Sequence, residues 1–292
     1  MIIQWYPGHM AKARRLLTEN LKLIDVVVEI ADARAPEATR NPDFDSLFAN
    51  KERIVILNKS DLASSHITKQ WTEHYKNQNI LSIDFVSTST SKRAAAISLI
   101  ESAAREKVKR MRAKGIAKTV RAMVVGIPNV GKSTFINCIA QSSRAKSGDK
   151  PGVTKGKQWV RVSAYLELLD TPGLLWPKLE DETHALHLAY IGSIKDDIMD
   201  IEQLAGGLLS ELMRICPEET TARYKLAEVG MEPAELLAAV CGSRGFLLPG
   251  REPDLDRGAR VVLDEFRAGK IARVTLEKPE HEKTELKNGK NQ

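Results

Sequence analysis

Lys132 and Ser133 close a loop, Gly126-Ile-Pro-Asn-Val-Gly131-Lys132-Ser133-Thr134, whose residue types and spacing suit it to hold a chain of phosphates. Backbone N–H groups in such a loop, and at the N-terminus of a helix that follows it, point at one anion. Gly126 and Gly131 permit backbone conformations and close approaches that a Cβ would block. Lys132 supplies a point charge for the β- and γ-phosphates, and Ser133 supplies a hydroxyl ligand for Mg²⁺. Asn129 and Val130 fill the bend between the glycines, and Thr134 opens the helix. An ordinary glycine-rich turn before a helix is the bland alternative. The apolar run 122–125 before the loop and the run 135–140 after it favour the strand, loop, helix context that phosphate binding requires.

Two further groups of residues have chemistry for the same ligand. Asn58-Lys59-Ser60-Asp61 follows the apolar run 53–57. A carboxylate placed there accepts two N–H bonds from N1 and the 2-amino group of guanine, whereas adenine offers no matching donors, and the mismatch leaves a charge unpaired. Taken alone, the tetrapeptide reads as a turn after a strand. Asp170-Thr171-Pro172-Gly173 ends another apolar run. An Asp at that place can hold Mg²⁺, usually through water, and the Gly173 N–H can reach a γ-phosphate. Between these groups, residues 141–156 are polar, carry Arg144, Lys146, Lys150 and Lys155, and have no core pattern. A loop of that length beside a phosphate site is a candidate switch, with Thr154 as the hydroxyl that joins Mg²⁺ when a γ-phosphate is present.

These residues need strands to carry them. Periodicity predicts a helix over 11–23, a strand over 25–31, a loop and helix start near Asn41-Pro42, and a strand over 53–57. A helix over 65–75, a strand over 80–86 and a helix over 91–104 follow. After the phosphate loop come strands near 157–161 and 165–169. Beyond residue 177 strand signals stop. Ile198, Ile201, Leu204, Leu208 and Leu212 repeat at helical spacing, as do Leu255, Ala259, Val262 and Phe266, which predicts a small helical domain over 178–275. The charged, apolar-poor stretch 276–292 is expected to be disordered.

The chain has 292 residues, enough for two ordinary domains, and a formal charge of +6. The charge is split: residues 1–177 balance at +12 and residues 178–292 at −6. A basic first part suggests a polyanion partner, with a solvated surface as the alternative. Residues 105–121 hold eight Lys or Arg and one Glu, and read either as a basic helix end with a linker or as a polyanion-binding arm. No run of eighteen apolar residues exists, so no membrane contact is expected. Three scattered cysteines and an N-terminus without signal or transit character predict a reducing, cytoplasmic setting. His184 and His187 have metal-like spacing but no cysteine nearby, and read as helix residues.

The elements of a GTPase site are thus all present in rotated order, with Asn58–Asp61 ahead of the phosphate loop and Asp170–Gly173. That order, the opening Trp5-Tyr-Pro-Gly-His9-Met10 and the helical tail resemble the circularly permuted GTPases, specifically the ribosome biogenesis GTPase A family. The resemblance implies a Ras-like α/β fold over 1–177, with a mostly parallel sheet flanked by helices. It also implies GTP hydrolysis to GDP with Mg²⁺, stimulated by the ribosome, and a role in late assembly of the large ribosomal subunit by a factor that is monomeric off the ribosome. A nucleotide-gated RNA-binding scaffold, or a tRNA-directed GTPase, with incidental hydrolysis is the alternative. On this resemblance Asn58, Lys59, Ser60, Asp61, Ser87, Thr88, Asn129 to Thr134 and Gly173 bind nucleotide, while Ser133, Thr154 and Asp170 hold Mg²⁺. The family's Ser-Ala-Lys-like loop is here Ser87-Thr88-Ser89, whose backbone can still contact the base. Leu174 stands where Ras-type proteins carry the water-orienting Gln, so hydrolysis by the chain alone is expected to be slow. His9, in the family's signature motif, is the candidate to assist Lys132 in catalysis, with a structural anchoring role as the alternative. Asn129 resembles the loop asparagine of potassium-activated GTPases, which makes K⁺ a candidate ion.

Overall fold

The apolar runs form six strands because their alternate residues can be buried on both faces of one sheet. A computed structural model describes residues 7–140, 158–175, 181–196, 199–226 and 231–279, with side chains from Arg14 onward. The strands are β1 (Val26–Asp32), β2 (Glu52–Asn58), β3 (Leu81–Asp84), β4 (Val120–Val125), β5 (Gln158–Arg161) and β6 (Leu166–Asp170). Their order across the sheet is β3-β2-β1-β4-β6-β5, parallel except for β5, which pairs antiparallel with β6. The chain builds outward from β1 to β3, then returns to lay β4 on the other side of β1. The switch point of this open sheet therefore lies between β1 and β4, where ligands of such sheets bind at the carboxyl ends of the strands.

Period-two alternation decides what each face meets. Val26, Val28 and Ile30 of β1 join Ile54, Ile56, Ala122 and Val124 on one face, beneath α4 (Arg93–Ala103) and α6 (Lys132–Ala140). Val27, Met123, Val125 and Leu169 point to the other face and meet Leu17 of α1 (Pro7–Asn20) and Phe44 of α2 (Asp43–Leu47). Val55 and Leu57 meet Trp71 and Tyr75 of α3 (Ser65–Asn77). Covering both faces is what a nearly all-parallel sheet requires. Residues 105–121 divide between α5 (Arg105–Ala113), a short connection and the start of β4.

The second half contains, among the described residues, α7 (Glu182–Tyr190), α8 (Ile201–Ile215), α9 (Pro217–Tyr224), α10 (Pro233–Arg244) and α11 (Leu255–Arg267). The predicted stripe of Leu204, Leu208 and Leu212 is buried, and so is that of Ala259, Val262 and Phe266. These side chains belong to one apolar cluster with Val26, Ile54 and Ala122, so the core runs from the sheet into the helices without a polar break. Asp181, Asp200 and Asp254 cap α7, α8 and α11 by accepting backbone N–H bonds from the first turns.

One expectation needs correction. Composition predicts a disordered tail from residue 276, but Leu276 and Glu277 are buried. After α11 the chain crosses back to the first half. The Leu276 N–H donates to Arg34 O at 2.7 Å, Thr275 Oγ1 to Ala33 O at 3.2 Å, and Trp71 Nε1 to Glu277 O at 3.1 Å. The Glu277 carboxylate accepts the N–H groups of Glu37 at 2.6 Å and Ala38 at 3.2 Å. A charge-rich composition hid this strap because its fixed contacts are to backbone groups some 240 positions away. The strap accounts for residues 276–279, and 280–292 lie outside the described residues.

His187 closes the same junction. Its Nδ1 lies 2.8 Å from Glu277 Oε1 and its Nε2 3.0 Å from Glu211 Oε1. Burial opposes a charge on this ring, but hydrogen bonds to Glu211 and Glu277 outweigh it and raise its pKa to about 9. A raised folded-state pKa makes the stabilisation complete below about 6.5, the ordinary histidine value, and lost as pH climbs through 9. The stability gap between the protein and its His187→Gln variant, followed by urea denaturation, is therefore expected to shrink by up to ~3 kcal/mol from pH 6.5 to 9.5.

Candidate functional site

Every group singled out for phosphate, base or metal chemistry, apart from Thr154 and His9, comes to the carboxyl end of the sheet. Residues 126–131 leave β4 at the switch point, residues 58–61 leave β2, residues 170–173 leave β6, and Ser87 lies just past β3. Thr154 falls outside the described residues. His9 is in α1, but its side chain is also outside them.

The loop after β4 is shaped by close backbone approaches. Gly131 has φ +97°, and a Cβ there would stand 2.4 Å from Asn58 Nδ2. Gly126 has φ +148°, and a Cβ would stand 2.6 Å from Ile30 O. Asn129 takes the left-handed conformation at φ +62°. Asn58 is buried and braces three segments at once: its Nδ2 donates to Val130 O at 2.8 Å, while its Oδ1 accepts the Ser87 N–H at 3.1 Å and the Ser87 hydroxyl at 2.7 Å. Lys59 lies across the same loop, its Nζ 2.9 Å from Asn129 O and 2.8 Å from Asp32 Oδ2. Ser60 turns inward, its Oγ donating to Phe85 O at 3.1 Å. Asp61 and Thr88 are exposed, and Asp61 makes no side-chain hydrogen bond among the described residues. The two carboxylate oxygens of Asp61 thus face outward beside a framework that is otherwise tied down.

Lys132 is buried, with its Nζ donating to Ile127 O at 2.6 Å. Burial pushes its pKa down to about 8, with Asp170 pulling partly the other way. Ser133 Oγ donates to Asp170 Oδ2 at 3.4 Å, so two hard oxygen donors of the kind Mg²⁺ prefers already meet. Gly173 packs so closely that a Cβ would lie 2.9 Å from Pro128 N and 3.1 Å from Lys132 Nζ. The next N–H, that of Leu174, donates to Gly126 O at 3.2 Å. Leu174 itself is buried among Leu17, Val27 and Phe44, so it is the wrong residue type to orient water and is also turned into the core.

Two participants escaped sequence reasoning. The predicted strand over 25–31 stopped one residue short of Asp32, which is fully buried at the end of β1. Burial disfavours its charge, but Arg34 and Lys59 beside it hold the carboxyl well below the usual range. Arg34 donates to both Asp32 oxygens at 2.9 and 2.8 Å and to Arg267 O at 3.2 Å. The available signal was an Asp-Ala-Arg directly after an apolar strand beside the switch point. The other is Gly192, whose carbonyl accepts Asn129 Nδ2 at 2.8 Å and so ties the phosphate loop to the helical half. No local pattern marks that contact.

A family model described as a 50S ribosome-binding GTPase matches residues 121–206. The "Ribosome biogenesis GTPase A" of Priestia megaterium is 48% identical over 281 residues, spanning 96% of this chain and 98% of that protein. That of Thermotoga maritima is 32% identical over 280 residues, 95% of each. Among solved structures, GDP-bound YlqF of T. maritima superposes with a TM-score of 0.67 at 28% identity, covering 91% of this chain and 99% of that one.

Proposed function

The chain belongs to the ribosome biogenesis GTPase A family, and from that premise we propose that this GTPase acts on the large ribosomal subunit late in its maturation, with its GTP state controlling attachment and release. Identity along 96% of the chain, helical half included, is the observation that carries the ribosomal part of this reading. The site supports the nucleotide part residue by residue. Asp61 reads the guanine edge, Lys59 lies along the base, and Ser87 and Thr88 close the base side through their backbone. The N–H groups of residues 129–134 and the Lys132 ammonium take the phosphates, and the Gly173 N–H faces the γ-phosphate. Ser133 and Asp170, already 3.4 Å apart, would hold Mg²⁺ together with Thr154, and that ion would neutralise charge developing on the phosphates. Asn129 donates through its amide nitrogen, which leaves its carbonyl oxygen for K⁺. His9 is the group proposed to position the attacking water, since Leu174 is buried away from it.

Hydrolysis by the chain alone is therefore expected to be slow and to rise at least tenfold with purified large subunits, but not with small ones. The measurement is phosphate release with Mg²⁺, with and without K⁺. His9→Ala should remove the stimulated rate while leaving GDP affinity intact. Tight GTP binding with no stimulation by either particle would instead favour a nucleotide-gated scaffold.

A further inference from the structure

The nucleotide loops occupy the carboxyl end of the sheet. At the opposite end, where β4 and β6 begin, lies a groove of about 700 Å³ lined by Arg105, Lys109, Arg112, Ile116, Lys118 and Tyr165, with Glu101 as the acidic member. Tyr165 is 66% exposed. Its backbone is fixed on both sides, the carbonyl accepting the Val120 N–H at 2.8 Å and the N–H donating to Ser163 Oγ at 3.1 Å. The result is an aromatic ring on a rigid mount, with most of its surface left in water. It is the most exposed large hydrophobic side chain among the described residues, and it shares the groove with the exposed Ile116.

Around the ring, three exposed cations converge on one groove. Some arginines elsewhere are matched, as Arg260 is with Asp256, Arg267 with Asp196, Arg223 with Glu265 and Arg53 with Asp45, while the exposed Arg214 and Arg251 have no carboxylate partner among the described residues. Lys118 shares the single Asp25 carboxylate with Lys107, at 2.8 and 2.6 Å, so that trio keeps a net positive charge. Arg105 and Arg112 have no carboxylate partner among the described residues, and Lys109 has only the exposed Glu106 at 3.2 Å. A cation in the last turn of α5 suits the helix dipole, which would account for Arg112. Arg105 stands between the C-terminus of α4, whose dipole favours a cation, and the first turn of α5, whose dipole opposes one.

Resting on the ribosomal reading above, we propose that this groove is a second binding site, separate from the nucleotide, for an unpaired stretch of RNA. One base stacks on Tyr165 while the flanking phosphates meet Arg105, Lys109 and Arg112. Cations along a groove with an exposed aromatic platform are the two parts that single-strand binding uses. A duplex keeps its base faces stacked and offers none to a ring. An acidic peptide would use the cations and leave the tyrosine without work.

The test is fluorescence anisotropy of the full chain with a labelled oligouridylate dodecamer over a series of salt concentrations. Tyr165→Ala should weaken binding by about 5- to 100-fold, and Tyr165→Trp should retain it. Replacing Arg105, Lys109 and Arg112 together by Ala should lower the slope of log K against log salt by about 2. GDP affinity and thermal stability should stay unchanged in all three variants, because these side chains are exposed and remote from the nucleotide loops. Binding unaffected by Tyr165→Ala, or equal affinity for a duplex or for polyglutamate, would overturn the proposal. Co-sedimentation of the same proteins with large subunits separates the two readings. If the parent and Tyr165→Ala sediment alike, the groove fails and the ribosomal reading stands. If the parent does not sediment yet binds the oligonucleotide through Tyr165, the ribosomal reading fails and the groove stands.

Discussion

Lys132→Ala is expected to lower GTP affinity by at least two orders of magnitude and to bring hydrolysis to background, with no matching loss of fold stability. Removing one preorganised charge aimed at developing negative charge typically lowers rates by about 10²–10³. Here the same side chain also holds the ground-state phosphates. The stability half of the prediction follows from where Lys132 sits. Its Nζ is buried and meets one carbonyl, Ile127 O, with Asp170 as the nearby opposite charge. That environment holds its pKa at about 8, below the ordinary value of 10.5, so at pH 7 the fold carries a charge that it disfavours. The difference corresponds to roughly 3 kcal/mol against folding. As pH rises from 8 to 10.5 the folded chain releases this proton before the unfolded chain does. The unfolded state then binds more protons, and stability rises. Lys132→Met, which keeps the volume of the side chain, should therefore be at least as stable as the parent at pH 7 in urea denaturation, with the difference closing by pH 10.5. Nucleotide phosphates favour the charged lysine, so binding above pH 8 must take up a proton. GDP affinity should fall about tenfold per pH unit there, and calorimetry in buffers of different ionisation enthalpy would count the proton.

The site was legible in the sequence because its chemistry is carried by short stretches, each fixed by a strand end. Gly126–Thr134, Asn58–Asp61 and Asp170–Gly173 could each be read without knowing which strands are neighbours. Their rotated order did no harm, since β4 lies between β1 and β6 whichever strand the chain makes first. What the sequence left unread are contacts between residues far apart along it. Asn58 stands in the sequence with the nucleotide-binding residues; that its carbonyl accepts from Ser87 and one of its N–H groups donates to Val130, bracing two loops, is written nowhere in its neighbours. The pairing of Asn129 with Gly192, and the strap that brings Glu277 to Glu37 and Ala38, depend on packing that no window of residues contains. The charged composition after residue 276 even pointed the wrong way, because a carboxylate that caps two backbone N–H groups and meets His187 looks the same in sequence as one in water.

Those distant contacts bear on how the two halves communicate. The phosphate loop touches the helical half directly through Asn129 and Gly192. The base-recognition turn touches the strap through the Val274 N–H to Leu62 O at 3.2 Å. Arg34 joins both sides by holding Asp32, itself paired with Lys59, while donating to Arg267 O. A nucleotide that shifts either loop acts on groups already hydrogen-bonded to the helices, so reorientation of the helical half would need no long relay. Differential contact of this kind is what a ligand needs in order to move a two-state element.

Asp61→Asn should convert a guanine site into a xanthine site, with GTP affinity falling about 10²–10³-fold and XTP affinity rising by a comparable factor. Guanine presents two donors, N1–H and the 2-amino group, and two carboxylate oxygens accept both. Each such charge-assisted bond contributes about 1.5–3 kcal/mol, so losing most of the pair gives the stated range. An amide has one acceptor and one donor. Xanthine keeps N1–H but presents a carbonyl at C2, which matches the amide and mismatches the carboxylate. The fold should tolerate the change, because Asp61 is exposed and bonds to nothing among the described residues, while Asn58, Lys59 and Ser60 keep the turn in place through Val130, Asn129 and Phe85. Competition of unlabelled GTP, XTP and ATP against a fluorescent GDP analogue measures all three affinities on one sample. A uniform loss for every nucleotide would mean that Asp61 supports the turn and does not read the base. A selective swap from GTP to XTP, with ATP weak throughout, would place base recognition on this one carboxylate and leave Asn58 and Lys59 the work of holding it in position.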